Sequence, residues 1–383
     1  MQSLVRLFSQ AFHTEPLLVR SPGRINLLGE HTDYNEGFVL PAAIDKFAYV
    51  AVQKRADNRV VLLAADLNEQ VETTLDAVKP VKQSWCNYIL GVTQQFLLNK
   101  YPLGGYNLAV SSNIPVGAGL SSSAALACAT AYALNELFEC GVDKLTLAKF
   151  AQAAEHTFAG VQCGIMDQFA SLFGRKNHVI LLDCRSMEYE YVPLHLKAHE
   201  LVLVDSGVKH ALASSAYNQR RKECEEGVRI ISRHYASVKS LRDVAPEQVD
   251  ECLSGHSLLH KRCKYVVEEN QRVTGACHDL VHDHIDAFGK KMVQTHRGLQ
   301  VLYEVSCSEL DFLVDKAISL PGVSGARMMG GGFGGCTLNL LFSEYVDQVI
   351  GMVASAYSEK YGRVPAVYRV KTADGTTIVP LPA

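Results

Sequence analysis

The sequence "IPVGAGLSSSAAL", residues 114–126, joins a glycine turn to three consecutive serines and an alanine-rich run. Serine hydroxyls compete with the hydrogen bonds of a helix interior, so serines suit the start of a helix better than its middle. Three serines supply more caps than one helix end needs. The stretch therefore predicts a turn and then a helix whose first residues do more than cap it.

Residues 117–123, here called the serine loop, have the chemistry of a phosphate cradle. Gly117 and Gly119 allow the backbone to approach a ligand closely, and the N-terminus of the predicted helix favours an anion. The hydroxyls add donors, and one can ligate a hard cation such as Mg²⁺. The loop lacks the lysine of a Walker A loop and is not a Gly-x-Ser-x-Gly elbow. The simpler alternative is a glycine-rich turn with surplus caps.

Composition and charge narrow the class of protein. The chain has 383 residues, which favours two domains, and 48% of them are hydrophobic, which is ordinary for a globular protein with a large core. The net charge of −3 indicates neither general nucleic-acid binding nor an anionic membrane surface as partner. The 11 cysteines are odd in number and form no C-x-x-C pair, so we expect reduced thiols and a cytoplasmic location.

Neither a signal peptide nor a membrane span is expected. The N-terminal residues 1–16 have apolar residues at helical spacing without a long apolar region, and residues 124–135 are too short and mixed to cross a bilayer. Strand-like and helix-like segments alternate in both halves, which predicts an α/β fold with α+β layers. Residues 185–199 are polar and turn-rich, so we place a domain boundary near residue 195. The predicted domains are 1–195 and 196–383, and the last strand is free to pack back on the first.

The second informative stretch is "SPGRINLLGEHTDYNEG", residues 21–37, here called the polar segment. It places Arg24, Glu30, His31 and Asp33 between apolar strands, which suggests a polar site rather than core. Such side chains can hydrogen-bond a polyol or bind a metal. The alternative is a charged surface loop.

The third stretch, residues 155–174, contains two acidic side chains in apolar surroundings. Glu155 lies at the end of an apolar-faced helix, and Asp167 is flanked by Met166 and Phe169. A carboxylate among apolar neighbours is costly unless it is paired or functional. The alternative is that Asp167 caps the N-terminus of the helix that follows.

Three further motifs are less specific. "GARMMGGGFGGC", residues 325–336, matches G-x-G-x-x-G by letter, but a strand-like run follows where a dinucleotide site needs a helix. "HDLVHDH", residues 278–284, could bring two histidines together as a metal pair, although a solvated helix face is the simpler interpretation. Trp85 and Tyr88 could stack on an adenine ring or fill core.

Taken together, these motifs resemble those of the galactokinases, within the GHMP family of sugar and metabolite kinases, over nearly the whole length. Three segments carry the resemblance: "PGRINLLGEHTDYNEG", "PVGAGLSSSAAL" and "GARMMGGGFGGC". "CGIMDQ" and "SSAYNQRRKEC" match further galactokinase-type stretches. The serine loop alone marks only the wider family, whereas residues 30–34 together with 163–168 narrow it to galactokinases.

The resemblance implies a two-domain GHMP-kinase-like fold with the active site in the cleft between domains, and ATP, Mg²⁺ and D-galactose as ligands. By match, Asp167 would act as base on the anomeric hydroxyl, and Arg24 would stabilise the transition state and keep Asp167 ionised. Ser123 and Glu155 would hold Mg²⁺. The residues implied to cradle the ATP phosphates are Gly117, Ala118, Gly119, Leu120, Ser121, Ser122 and Ser123. Those implied to meet the sugar are Glu30, His31, Thr32, Asp33, Gly164 and Tyr217. Trp85 and Tyr88 would lie near the nucleotide base. We expect a monomer.

The sequence allows three alternatives, of which an α/β protein whose glycine loops have no catalytic role is disfavoured by three motifs that occur together in the right order. A kinase of the same family acting on N-acetylgalactosamine would need room for the acetamido group, and the intact "EHTDYN" run favours galactose. A sensor that binds sugar and ATP and signals to a partner would tolerate loss of the base or of the serines. Asp167 and all three serines are present, which favours an enzyme.

Overall fold

The computed structural model describes residues 1–115, 117–208 and 213–381. Its strands are β1 (Leu17–Asn26), β2 (Phe38–Val39), β3 (Pro41–Lys54), β4 (Arg59–Ala64), β5 (Glu69–Thr74), β6 (Tyr106–Ser112), β7 (His178–Asp183), β8 (Tyr189–Pro193), β9 (His199–Asp205), β10 (Val323–Met328), β11 (Cys336–Phe342), β12 (Ala366–Val370) and β13 (Thr377–Ile378). Its α-helices are α1 (Gln2–Phe12), α2 (Ser84–Leu98), α3 (Ser122–Phe138), α4 (Lys144–Ala154), α5 (Met166–Phe173), α6 (Ala213–Ile231), α7 (Pro246–Cys252), α8 (Ser257–Val281), α9 (Ile285–Arg297), α10 (Ser308–Ile318) and α11 (Val346–Tyr361).

The strands form three sheets. A six-stranded sheet has the order β13-β1-β3-β6-β4-β5, a four-stranded sheet the order β10-β11-β9-β12, and a three-stranded sheet the order β2-β7-β8. In the six-stranded sheet β4 pairs with β6 in parallel, and the other pairs are antiparallel. With helices packed on these sheets, the fold is the mixed α/β arrangement that the sequence predicts.

Helix α3 lies at the centre of the first core, as its alanine content predicts. Its alanines are buried because their small side chains let the helix lie close to β1 and β3. Alanine also has the highest helix propensity, so the run favours the helix locally as well as in packing. The helix begins at Ser122, within the serine loop, and its packing therefore fixes the position of that loop.

Strand β9 shows why the apolar runs of the second half form buried strands. Leu201 and Leu203 face a core that includes residues of α8 and α9, whereas Val202 and Val204 face residues of α10 and α11. This alternation follows from the two-residue period of a strand. Both faces are covered, so the run is apolar throughout.

The chain end returns to the first sheet. Ile378 of β13 pairs with Val19 of β1, whereas β9 to β12 all follow residue 195. The division at residue 195 remains a prediction. Within the described ranges, no helix is both long and apolar enough to span a bilayer.

One sequence-based expectation about a strand is wrong. Residues 185–199 were expected to be polar and turn-rich, but they contain β8, which pairs with β7 through Val179 and Val192. The strand is half-exposed, and Tyr189 and Glu190 at its start lack the apolar continuity of a buried strand. A partner strand therefore decides its conformation.

Candidate active site

A cavity of about 240 Å³ lies where the polar segment, the serine loop, the start of α5 and residues 329–335, here called the glycine loop, come together. The side chains and backbone that line it are those of Arg24, Glu30, His31, Asp33, Tyr88, Ser123, Glu155, Val161, Cys163, Gly164, Met166, Asp167, Tyr217, Gly330 and Gly331. Most of the polar residues singled out in the sequence therefore share one cavity, although they come from distant parts of the chain.

Arg24 and Asp167 form the central ion pair of the cavity. Nε of Arg24 donates to Oδ1 of Asp167 at 2.8 Å, and Nη2 donates to Oδ2 at 2.9 Å. The third nitrogen, Nη1, donates to the carbonyl of Gly119 at 2.5 Å. Arg24 lies where β1 shifts register against β3, and such irregularities redirect side chains next to functional sites. The guanidinium thus joins the base candidate to the serine loop.

Asp167 does not cap a helix, so that alternative is wrong. The N-cap position of α5 belongs to Ile165, which has no side-chain cap, and Asp167 is the second residue of the helix. Its carboxylate accepts hydrogen bonds from Arg24 and from the hydroxyl of Ser121. A quarter of the side chain remains exposed, and it faces the cavity.

Two of the three serines, Ser121 and Ser123, make side-chain hydrogen bonds that do not cap the helix. Ser121 occupies the N-cap position of α3 in a left-handed conformation, with φ +57°, and its side chain makes no capping bond. Its hydroxyl donates to Asp167 instead, and the hydroxyl of Ser123 donates to Oε2 of Glu155 at 3.3 Å. The interpretation of the loop as a turn with surplus caps is wrong for these two residues.

Glu155 begins a π-helical turn, Glu155–Ala159, that continues α4. Single turns of this kind occur frequently at functional sites. The carboxylate accepts a hydrogen bond from Nε2 of Gln168 at 2.7 Å. Burial, with Asp167 nearby as a second cause, raises the pKa of Glu155 to about 7. Burial therefore favours the protonated form of this side chain more than water does, although Arg24 partly offsets the effect.

Asp33 lies against a glycine that it requires. A Cβ on Gly164 would stand 2.0 Å from Oδ2 and 2.2 Å from Cγ of Asp33, so only glycine fits there with the carboxylate in this place. Burial, with Asp167 as the next cause, raises the pKa of Asp33 to about 7. The side chain lines the cavity, where sugar hydroxyls could hydrogen-bond to it.

His31 is held as a neutral ring. Its Nε2 lies 3.2 Å from the carbonyl of Gly331, which can only accept, so Nε2 carries the proton. Its Nδ1 then accepts from the hydroxyl of Tyr34 at 2.7 Å. Burial lowers the pKa of His31 to about 3. The ring of Tyr217 lies 5.1 Å away, centroid to centroid, and closes the same side of the cavity.

Glu30 connects the polar segment to the glycine loop. Its Oε1 accepts from the backbone N–H of Gly330 at 2.7 Å, and its Oε2 accepts from Nδ2 of Asn26 at 3.0 Å. Nη2 of Arg327 lies 2.7 Å from Oε1 as an ion pair, without the alignment of a hydrogen bond. The two segments are 300 residues apart, and this cluster joins them.

The glycine loop connects two strands. It runs from β10 to β11, so rejecting a dinucleotide site is correct. A Cβ on Gly332 would meet the carbonyl of Val305 at 2.1 Å, and its φ is +83°, so glycine is needed there for close backbone approach.

Comparisons with known proteins agree with this geometry. Three family models match: the galactokinase galactose-binding signature over residues 6–54, the GHMP kinases N terminal domain over 87–175, and the GHMP kinases C terminal model over 277–359. The galactokinase of Thermotoga petrophila is 43% identical over 357 residues, which cover 93% of this chain and 98% of the relative. That of Roseiflexus is 42% identical over 372 residues, covering 96% and 94%. The chain belongs to the galactokinases of the GHMP kinase family.

The solved structures extend this result to the fold. The Lactococcus lactis galactokinase complexed with galactose superposes with a TM-score of 0.94 at 34% identity, covering 98% of this chain and 99% of that one. The mevalonate kinase of Methanococcus jannaschii, at 18% identity and a TM-score of 0.66, shares the fold. The predicted family, the GHMP kinase fold and the activity, ATP-dependent phosphorylation of galactose, are confirmed.

Eight predicted site residues of this galactokinase do not line the cavity, namely Thr32, Trp85 and residues 117–122 of the serine loop. The hydroxyl of Thr32 is buried and donates to the carbonyls of Gly29 and Phe38, so it holds the polar segment in shape rather than meeting a sugar. Nε1 of Trp85 donates to Glu69 at 2.7 Å, and its ring packs against the first core, whereas Tyr88 on the next turn of α2 does line the cavity.

Several supporting residues were missed by the sequence analysis. Gln168 and Arg327 stand inside the quoted motifs, and their polar side chains beside a functional carboxylate or glycine could have indicated them. Tyr34, Tyr303 and Cys224 form a hydrogen-bonded chain behind His31, at 2.8 and 3.2 Å. No sequence pattern links these three, since the last two lie 79 residues apart.

Proposed function

We propose that this galactokinase transfers the γ-phosphoryl group of ATP to the anomeric hydroxyl of D-galactose, giving galactose 1-phosphate and ADP, within the cavity described above. The observation that carries the proposal is the double hydrogen bond between Arg24 and Asp167, at the junction of the serine loop and the polar segment. The carboxylate of Asp167 lies between the serine loop and the polar segment, which supports a role for it in transfer between ATP and the sugar.

Asp167 is the base. Its carboxylate accepts the proton of the anomeric hydroxyl as the new P–O bond forms, because a sugar hydroxyl is a weak nucleophile until its proton can leave. Arg24 orients the carboxylate and offsets its negative charge beside the incoming phosphates. Phosphoryl transfer depends chiefly on such positioning and charge neutralisation.

The sugar lies against the polar segment. The half-buried carboxylate of Asp33 accepts hydrogen bonds from two sugar hydroxyls, and Gly164 leaves the space that this arrangement needs. His31, Glu30 and Tyr217 complete the wall. Glu30 and His31 are buried, and Asp33 and Tyr217 are half-buried. A sugar that leaves one of these groups without a partner therefore loses binding energy, which is how a site distinguishes epimers.

The phosphates lie over the serine loop, where the backbone N–H groups at the start of α3 and the helix dipole favour negative charge. The donor set of Ser123 and Glu155 fits Mg²⁺, which prefers oxygen ligands. Burial and Asp167 raise the pKa of Glu155. A bound cation would favour the carboxylate form, so we expect Glu155 to lose its proton when Mg²⁺ binds. When bound, Mg²⁺ neutralises phosphate charge.

Tyr88 lies at the cavity wall beside Ser123 and Glu155 and is the aromatic residue that we assign to the nucleotide side.

We further propose that the chain acts as a monomer in the cytoplasm. The odd number of cysteines, 11, without a C-x-x-C pair supports a reducing compartment. Light scattering on the purified protein tests the monomer, and a mass of twice 42.0 kDa would contradict it.

The direct test of the reaction is coupled ADP release with Mg·ATP and a panel of galactose, glucose, N-acetylgalactosamine and mevalonate. Turnover on galactose, with ³¹P NMR showing the phosphate on the anomeric oxygen, is the expected result. Turnover on N-acetylgalactosamine in preference to galactose would replace the sugar assignment. If none of the four sugars and metabolites is turned over while calorimetry still shows galactose binding, the result would favour a sensor that binds sugar and ATP without catalysis.

A further inference from the structure

The turn between α8 and α9 carries the histidine-rich run 278–284, which the galactokinase reaction does not use. Helix α8 ends in a Schellman motif, in which the N–H of Asp283 donates to the carbonyl of Leu280 at 3.2 Å and the N–H of His284 donates to that of Asp279 at 2.8 Å. Asp283 adopts the left-handed conformation, with φ +60°. The motif therefore folds His284 back beside the last turn of α8.

The fold-back brings metal-ligating atoms together. An imidazole nitrogen of His278, one of His284 and a carboxylate oxygen of Asp279 all lie within 4.8 Å of one another. The ring of His282 lies 4.1 Å from that of His278 and 5.9 Å from that of His284, centroid to centroid. Nδ1 of His282 lies 2.8 Å from the carbonyl of His278, an acceptor, so Nδ1 carries the proton and Nε2 keeps its lone pair.

We propose that this turn is a binding site for one transition-metal ion of the Zn²⁺ class, with His278, Asp279 and His284 as ligands and Nε2 of His282 as the fourth. Tetrahedral bonds of about 2.0 Å place ligand atoms roughly 3.3 Å apart. The three exposed histidine rings reach that spacing by side-chain rotation, whereas the buried Asp279 stays in place through its ion pair with Lys291.

The donor set decides the class of ion. Imidazoles with one carboxylate suit Zn²⁺, Co²⁺ and Cu²⁺, whereas Mg²⁺ and Ca²⁺ prefer oxygen ligands throughout. The site therefore differs in chemistry from the Ser123–Glu155 pair.

The test uses the full chain without a polyhistidine tag, because a tag would bind the same ions. Isothermal titration with Zn²⁺ is expected to show one ion per chain, with at least a tenfold loss of affinity in His284→Ala and loss of the site in the double variant H278A/H284A. His234→Ala is the matched control, since His234 is exposed and lies outside the turn. Galactokinase activity verifies folding, because neither substituted residue of the double variant lines the active-site cavity.

The absorption spectrum of bound Co²⁺ shows whether the ion is held by the histidine-rich turn or by cysteine thiols, of which the chain has 11. The expected spectrum has d–d bands of a nitrogen and oxygen donor set without a thiolate charge-transfer band, and H278A/H284A removes it. The proposal is overturned if wild-type protein binds no Zn²⁺, if the double variant binds it as the wild type does, or if the charge-transfer band appears.

Discussion

Arg24 and Asp167, which are 143 residues apart, meet through two parallel hydrogen bonds of 2.8 and 2.9 Å. A guanidinium fork fits a carboxylate in one plane, so the pair fixes the orientation of Asp167 as well as its charge. Since Arg24 also donates to the carbonyl of Gly119, the same side chain sets the distance between the carboxylate and the serine loop.

The first prediction concerns the base. Asp167→Asn keeps the shape of the side chain but cannot take a proton, so kcat is expected to fall by about 10²-fold or more. Coupled ADP release measures kcat, and calorimetry is expected to show that galactose still binds. Asp57→Asn is the matched control, because Asp57 accepts the same two-bond pairing from Arg55 at the surface. A kcat in Asp167→Asn within a few-fold of that of the control would remove Asp167 from this role.

The second prediction concerns the space beside Asp33. In Gly164→Ala the new Cβ overlaps Oδ2 and Cγ of Asp33, so the carboxylate must move. We expect the KM for galactose to rise by at least tenfold while the KM for ATP changes little, because the displaced group faces the sugar. Gly351→Ala in α11 is the control, since a Cβ there meets nothing within 4 Å. Equal galactose KM values in the two variants would contradict the assignment of Asp33.

Sequence motifs predicted the composition of the site better than its geometry. The residue types that phosphoryl transfer needs were visible in the serine loop, in Asp167 and in Arg24, and Ser123, Asp167 and Arg24 line one cavity. The partners of each side chain were not visible, because they depend on contacts across the fold. Nothing local to Asp167 shows that the hydroxyl of Ser121 donates to it.

The backbone conformation of the polar segment explains why Thr32 does not line the cavity as predicted. His31 has φ +62°, and this left-handed step sets where the side chains around it point: His31 and Asp33 line the cavity, while Thr32 is turned to the backbone of Gly29. A sequence of consecutive polar residues does not reveal such an alternation. The strand β8 was missed for a related reason, since its pairing with β7 rather than its composition makes it a strand.

The third prediction is a pH dependence of stability. The pKa of Glu155 is raised by burial and by Asp167 to about 7, above its unfolded value near 4.5. Between these values the native protein keeps a proton that the unfolded chain releases, so this group makes the free energy of unfolding fall as pH rises from about 4.5 to 7. The shift of the Glu155 pKa corresponds to a loss of roughly 3 kcal/mol in the free energy of unfolding over this pH range.

Urea denaturation at pH 5 and at pH 7.5 measures this effect. Glu155→Gln removes the ionisable group, so its free energy of unfolding is expected to fall less between the two pH values than that of the wild type. The exposed Glu359→Gln serves as the control and is expected to follow the wild type. Parallel behaviour of wild type and Glu155→Gln would show that Glu155 is charged throughout this range.

The fourth prediction concerns the buried pair of Glu30 and Arg327. Arg327 is fully buried, and besides facing Glu30 it donates to the carbonyls of Asn26, Leu27 and Met328. Arg327→Met removes the cation and leaves the Glu30 carboxylate buried without its countercharge, which is expected to cost about 3–5 kcal/mol of stability. Because Glu30 also lines the cavity, the KM for galactose is expected to rise.

A double-mutant cycle separates the ion pair from the other bonds of Arg327. Glu30→Gln combined with Arg327→Met removes both charges, so the double variant is expected to be less destabilised than the sum of the single variants. Arg369→Met, which breaks an exposed ion pair with Asp347, is expected to change stability by about 1 kcal/mol or less. Additive losses in the cycle would mean that the carbonyl contacts of Arg327, rather than its charge, hold the glycine loop against the polar segment.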